Sequence, residues 1–323
     1  MANIPYPLRF KPLFRDYLWG GRNLAARLNK SIPAEGSWAE SWDLVDHADH
    51  ESEVTNGPLA GRRLGQIMRE SANWLLGVDH ATERFPLLLK YLDCQSVLSV
   101  QVHPSDDFAR RMNPPDLGKT EAWFIIDAAP NSVVYAGLRK GVNRENLADA
   151  IRLGIAEQCL HKIHPCAGDC LFIPAGTVHA LGAGLLVAEI QQASNTTFRL
   201  FDWNRVDAQG KSRQLHVDQA LETIDFSRGP FHIQARQTTA QPGRFRLVDC
   251  DKFVMDLVTQ PGSTGDDGRF HILTVPTGKA EIRWDGNREP LPVGDTVLLP
   301  AQMPQVRIEV ERGTTLLDMY LPN

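Results

Sequence analysis

Four side chains able to hold a divalent cation sit in three short motifs: Gln101 and His103 in VLSVQVHP (residues 97–104), Glu121 in GKTEAWFIID (118–127), and His179 ending GDCLFIPAGTVH (168–179). Strict alternation along 97–104 puts Val97, Ser99, Gln101 and His103 on one strand face and Leu98, Val100 and Val102 on the other. Glu121 opens a strongly apolar strand, and His179 follows the turn Pro174-Ala175-Gly176-Thr177. Two imidazoles, a carboxylate and the Gln101 amide oxygen suit a zinc-type ion with a position left open for water or substrate, and the pattern alone admits iron or manganese equally. Taken singly, a strand histidine is usually a satisfied structural residue. A further polar segment, EIQQASNTTFRLFDWNR (189–205), brings Glu189, Arg199, Asp202 and Arg205 close in sequence. Its charge pattern reads either as a surface strand with internal ion pairs or as part of a site.

The elements that must position these residues are short and β-rich. GDCLFIPAGTVH recurs as GDTVLLPAQMPQ at 294–305, so a Gly-Asp turn feeds an apolar strand that ends at proline in each copy. Two copies predict two similar domains. In the second, Gln305 replaces His179 and no Gln-x-His strand accompanies it, so that copy is expected to have lost its ligands. Strand-like runs at 133–135, 185–191, 253–258, 270–275, 280–284 and 315–320 predict a mainly β fold of two jelly-roll domains. Helical patterning is limited to 64–76, 104–112, 144–153 and 215–224, read as helices inserted on the β core. The Pro-, Gly- and Gln-containing stretch 227–243 is the expected linker, giving domains at 1–230 and 240–323.

Length and charge narrow the function. A chain of 323 residues with net charge −5 and no block of like charge points away from nucleic-acid tails and polybasic membrane anchors, toward a small-molecule partner. The N-terminus shows no signal-peptide pattern, and no run approaches the roughly 18 apolar residues of a spanning helix. Five cysteines without paired short spacings read as free thiols, so a cytoplasmic protein is expected.

Together QVHP, GKTEAW, IPAGTVHALG and EIQQASNTTFRLFDWNR resemble the type I phosphomannose isomerases of the cupin superfamily, in their short bacterial form. WGG at 19–21, ESWDLVDH at 40–47 and PLLLKYLD at 86–93 extend the resemblance over residues 8–225. It implies cupin-like jelly rolls, with 1–230 as the catalytic domain and 240–323 carrying a degenerate metal site. It further implies a zinc-dependent aldose–ketose isomerase interconverting mannose 6-phosphate and fructose 6-phosphate through an enediol. One Zn2+ per chain would be held by Gln101, His103, Glu121 and His179. Arg199 matches the family's catalytic arginine, and Lys119 and Arg205 are the cations assigned to the substrate. Glu189 falls on an active-site position; it and zinc-bound water are the two candidate bases.

One departure is Asn195, where the family usually has aspartate after the serine. An amide cannot serve as a carboxylate base. Two other functions fit the same residues: a metal-dependent cupin oxygenase, requiring ferrous iron and oxygen, and a sugar-phosphate-binding regulatory protein without turnover.

Overall fold

A computed structural model describes residues 4–48, 50–77, 82–206 and 209–322. The fold is mainly β, as expected, with four larger antiparallel sheets arranged as two facing pairs and a separate two-stranded hairpin at Asp46–His47 and His50–Glu51. The first pair has a six-stranded sheet, Leu13–Arg15, Glu40–Leu44, Leu87–Cys94, Leu185–Gln192, Glu121–Ala128 and Cys170–Ile173 in spatial order. Its partner has five strands: Phe198–Phe201, Val100–Val102, His179–Leu181, Val134–Leu138 and Leu160–Ile163. The second pair lies within Gln237–Thr238 to Thr315–Tyr320, with six strands facing four. Among the described residues no helix is long and apolar enough to cross a membrane.

Alternation along the central strands separates two tasks. Leu87, Leu89 and Tyr91, Ala122, Phe124 and Ile126, and Leu186, Ala188 and Ile190 share one large core with Met255, Leu257, Ile272, Leu317 and Met319 of the second pair. That apolar face joins the two halves of the chain, since each fully buried side chain of this size is worth about 1.5–3 kcal/mol. Its buried polar contact is Tyr91 Oη to Thr274 Oγ1 at 2.5 Å. The opposite face of the same strands carries Lys90, Glu121, Trp123, Glu189 and Gln191, which are therefore directed between the two sheets of the first pair.

Helices seal the outside of the five-stranded sheet. Val100, Val102, Ala180, Phe198 and Leu200 pack there with Leu147 and Ala150 of helix Arg144–Arg152 and Ala220 and Leu221 of helix Val217–Thr223. Asn143 caps the first of these by accepting from the Asn146 amide at 2.8 Å. With the apolar neighbours drawn outward, Gln101, His179 and Arg199 turn inward. The helices at 64–76 and 144–152 match their sequence patterns, whereas that in 104–112 shortens to Asp106–Ala109. Residues 227–243 form mostly irregular chain, interrupted by the short strand Gln237–Thr238.

The repeat is visible in the strand register. Ile173 pairs with Glu121, and Leu299, its counterpart in the repeat, pairs with His271. Likewise Trp123 lies between Leu171 and Glu189, and Leu273 lies between Val297 and Asp318. His271 and Asp318 thus hold the sheet positions of Glu121 and Glu189, while Gln305 is exposed. The second polar face is closed on itself: Arg244 Nη1 donates to Asp318 at 2.8 Å and to Asp256 at 3.1 Å, and His271 Nδ1 lies 2.8 Å from Asp318.

The Gly-Asp turn of the second copy has a strict steric requirement. Gly294 has φ +82°, and a Cβ there would stand 1.9 Å from the Leu28 carbonyl oxygen. Gly294→Ala should therefore cost at least the roughly 1–3 kcal/mol of a left-handed non-glycine residue, read as a lower urea midpoint with unchanged slope.

Candidate metal centre and active site

The inward face of the first sheet pair brings the candidate ligands together. Gln101 and His179 are directly paired across neighbouring strands, Glu121 begins the facing strand, and His103 stands just past the strand Val100–Val102. One ligating atom each from His103, Glu121 and His179 can be chosen so that all lie within 4.8 Å of one another, with all three residues buried. The His179 Nε2 to Glu121 Oε1 distance is 3.2 Å, and His103 Nε2 to Glu121 Oε2 is 3.5 Å. The Gln101 amide nitrogen lies 3.3 Å from His179 Nε2, so a half-turn of the amide presents its oxygen instead.

Hydrogen bonding prepares both imidazoles as ligands. His103 Nδ1 lies 3.0 Å from the Thr196 carbonyl, and His179 Nδ1 lies 2.9 Å from that of Thr177. A carbonyl only accepts, so each Nδ1 carries the proton and each Nε2 turns a lone pair inward. Burial, reinforced by the neighbouring Lys119 ammonium, pushes His103 down to about 3, and burial also lowers His179. Both rings are neutral near pH 7. Glu121 is held well below the usual carboxylate range: burial opposes its charge, but Lys119, His103 and His179 outweigh it.

His179 Nε2 and Glu121 Oε1 consequently face each other as two acceptors, and Glu121 Oε1 is a buried oxygen with no hydrogen-bond partner. A cation satisfies both, so the donor set fits a metal ion. Lys119 supplies positive charge at this point, pairing with Glu121 and donating to His103 Nε2 at 2.9 Å. Burial disfavours its charge, yet Glu121 and Glu189 hold its pKa above the ordinary value.

Beside the ligands opens a cavity of about 260 Å³, lined by Gln101, Lys119, His179, Glu189, Asn195 and Arg199 among others. Glu189 accepts from Trp123 Nε1 at 2.9 Å through Oε1, and its Oε2 lies 3.6 Å from Lys90 Nζ. Burial raises its pKa against the pull of Lys119. Arg199 is oriented by donating to Ser99 Oγ at 3.1 Å and to the Gln214 carbonyl at 2.9 Å. Arg205, expected at the substrate, is not among the lining residues. Its guanidinium is tied to the Asp202 carboxylate and, at 2.7 Å, to the Val97 carbonyl.

Other lining residues were not picked out by sequence reasoning: Glu40, Lys90, Trp123 and Arg213. Lys90 had a local signal, a lone charge inside the apolar run PLLLKYLD. Leu98 also lines the cavity, although alternation assigns it to the opposite face; the regular strand begins only at Val100.

Fold and site together define a cupin-type enzyme with a buried centre able to hold a metal ion. Residues 8–145 match the family described as phosphomannose isomerase type I, catalytic domain. The mannose-6-phosphate isomerase ManA of Bacillus subtilis (strain 168) is 34% identical over 94% of this chain and 96% of its own length. The mannose-6-phosphate isomerase of Streptococcus mutans is 35% identical over 91% and 92%. A crystal structure of the Bacillus subtilis mannose 6-phosphate isomerase superimposes with a TM-score of 0.88 at 32% identity, covering 97% of this chain and 99% of that one. The chain belongs to the type I phosphomannose isomerase family.

Proposed function

We propose that the chain interconverts mannose 6-phosphate and fructose 6-phosphate, with one zinc ion held by Gln101, His103, Glu121 and His179. The observation that carries this reading is the convergence of that donor set on a charged cavity in a member of this family. When bound, the ion supplies Lewis-acid polarisation of the sugar oxygens.

The reaction moves a proton between adjacent carbons through an enediol, and the residues divide that work. Glu189, on the cavity lining, takes and returns the proton: its buried carboxylate has a raised pKa, and Trp123 fixes one oxygen while Oε2 lies 3.6 Å from Lys90 Nζ. Arg199 stabilises the negative charge developing on the enediolate oxygen. With Glu189 as base, Asn195 need only donate or accept hydrogen bonds in the cavity it lines. Lys119 remains a cation toward the substrate, but its ion pair with Glu121 and the ties of Arg205 leave Arg213, half-exposed on the cavity lining, as the better phosphate partner. Remote phosphate binding then helps position the reacting carbons.

Residues 1–230 serve in this reading as the catalytic domain, and 240–323 as a smaller jelly roll in which the counterpart of Glu121 is the ion-paired His271 and that of His179 is the exposed Gln305. The free cysteines agree with a cytoplasmic setting. The test is isomerisation of mannose 6-phosphate with chelator, with zinc restored, and by a His179→Ala variant. Activity should vanish with chelator and return with zinc. The variant should lose more metal affinity than the roughly 10–100-fold caused by deleting a ligand's hydrogen-bond partner. Folded, zinc-loaded protein that binds the sugar phosphate without converting it would instead mark a binding protein.

A further inference from the structure

We infer that Asp116 is a positioning residue for the metal centre, acting through the connection 194–197 rather than by touching substrate or metal; this rests on the metal site proposed above. Asp116 does not line the active-site cavity but belongs to a neighbouring one with Arg84, Pro115 and Gln192. Its carboxylate is divided between two sets of donors. Oδ2 accepts from Ser194 Oγ at 2.8 Å and Thr196 Oγ1 at 2.9 Å. Oδ1 accepts from Arg84 at 2.7 Å and from the Leu117 amide at 2.8 Å, with His47 Nε2 at 3.3 Å.

Thr196 is the link to chemistry. Its side chain is held by Asp116, while its carbonyl receives the Nδ1 proton of His103 at 3.0 Å. That bond selects the tautomer whose Nε2 lone pair faces Glu121. The two neighbours of Thr196, Asn195 and Thr197, both line the cavity. Asp116 also precedes Lys119 and Glu121 on one short segment. A single carboxylate therefore fastens the segment bearing one ligand to the connection that orients another. Without it, the Thr196 carbonyl is free to move, and His103 loses the partner that fixes its ring and proton.

The experiment measures the zinc dissociation constant by competition with a chromophoric chelator, alongside the melting temperature of the zinc-free protein. Asp116→Ala should bind zinc about 10–100-fold more weakly than the parent chain. Thr196→Val, which removes the hydroxyl but keeps the carbonyl, should weaken zinc several-fold. The double variant should bind no more weakly than Asp116→Ala alone, because both changes cut the same path. An unchanged zinc constant in Asp116→Ala, with only a lower melting temperature, would make Asp116 a structural staple and overturn the inference. If Asp116→Ala does not fold, Thr196→Val decides alone, and parental zinc affinity there overturns it equally. Failure of the parent chain to bind zinc would strike the proposed metal site itself and remove the basis for both.

Discussion

Glu189→Gln should lower kcat by about 10²–10⁴-fold, the range for losing a positioned acid–base group, while zinc content stays at one ion per chain. Glutamine keeps the shape and still accepts from Trp123 Nε1, which donates to Glu189 at 2.9 Å. It cannot take a proton. Because burial raises the Glu189 pKa above its ordinary 4.5, the acid limb of the parent pH–rate profile should lie above that value, with activity rising as the carboxylate ionises. The variant should lack that limb. Steady-state kinetics across pH, with metal analysis on the same samples, separates the outcomes: a kcat within about threefold of the parent would transfer the proton to another base.

The second large effect lies in the other sheet pair, outside the cavity lining. Asp318→Asn should destabilise the fold by about 3–5 kcal/mol near pH 7, the cost of breaking a buried ion pair and leaving its partners charged. Asp318 and His271 are almost fully buried, and Arg244 is 8% exposed. Burial opposes the Asp318 charge, but His271 and Arg244 hold the carboxylate below its ordinary range. His271, also opposed by burial, is raised from 6.5 to about 9, chiefly by Asp318. A raised folded pKa means that this part of the stability is complete below pH 6.5 and is lost as pH climbs through about 9. The depressed Asp318 works in the other direction, contributing above its ordinary 3.8 and fading as pH falls below it. Urea unfolding between pH 6 and 9 should show the parent losing stability on the alkaline side and the variant starting lower with a flatter profile. Equal slopes in the two proteins would break the link to this pair.

These two regions show how differently the chain discloses its parts. The candidate ligands Gln101, His103, Glu121 and His179 were legible because each lies in a short motif with its own alternation, turn or apolar flank. The Gly-Asp repeat also appears directly in the residues, and the strands Cys170–Ile173 and Thr296–Leu299 reproduce it with equivalent pairings. By contrast, Lys90 reaches the cavity because it pairs in register with Glu189, and Arg213 reaches it from a distant loop. Neither placement follows from neighbours in sequence. Arg205 shows the converse: a cation near the same motif is paired with Asp202 and does not line the cavity, which only side-chain geometry reveals.

Sequence alone disclosed which face most regular strand residues present, since alternation of apolar and polar residues is a local property set by a two-residue period. The recurring Gly-Asp motif disclosed the repeat, and the combined motifs disclosed the family and with it the candidate donor set. Tertiary structure decided which faces meet. Back-to-back packing of the six-stranded sheets, the choice of the His103 tautomer by the Thr196 carbonyl, and the closing of the second polar face by Arg244, His271 and Asp318 all depend on contacts between residues remote in the chain. The strengths of those contacts arise from burial and charge proximity, which exist only once the sheets have come together.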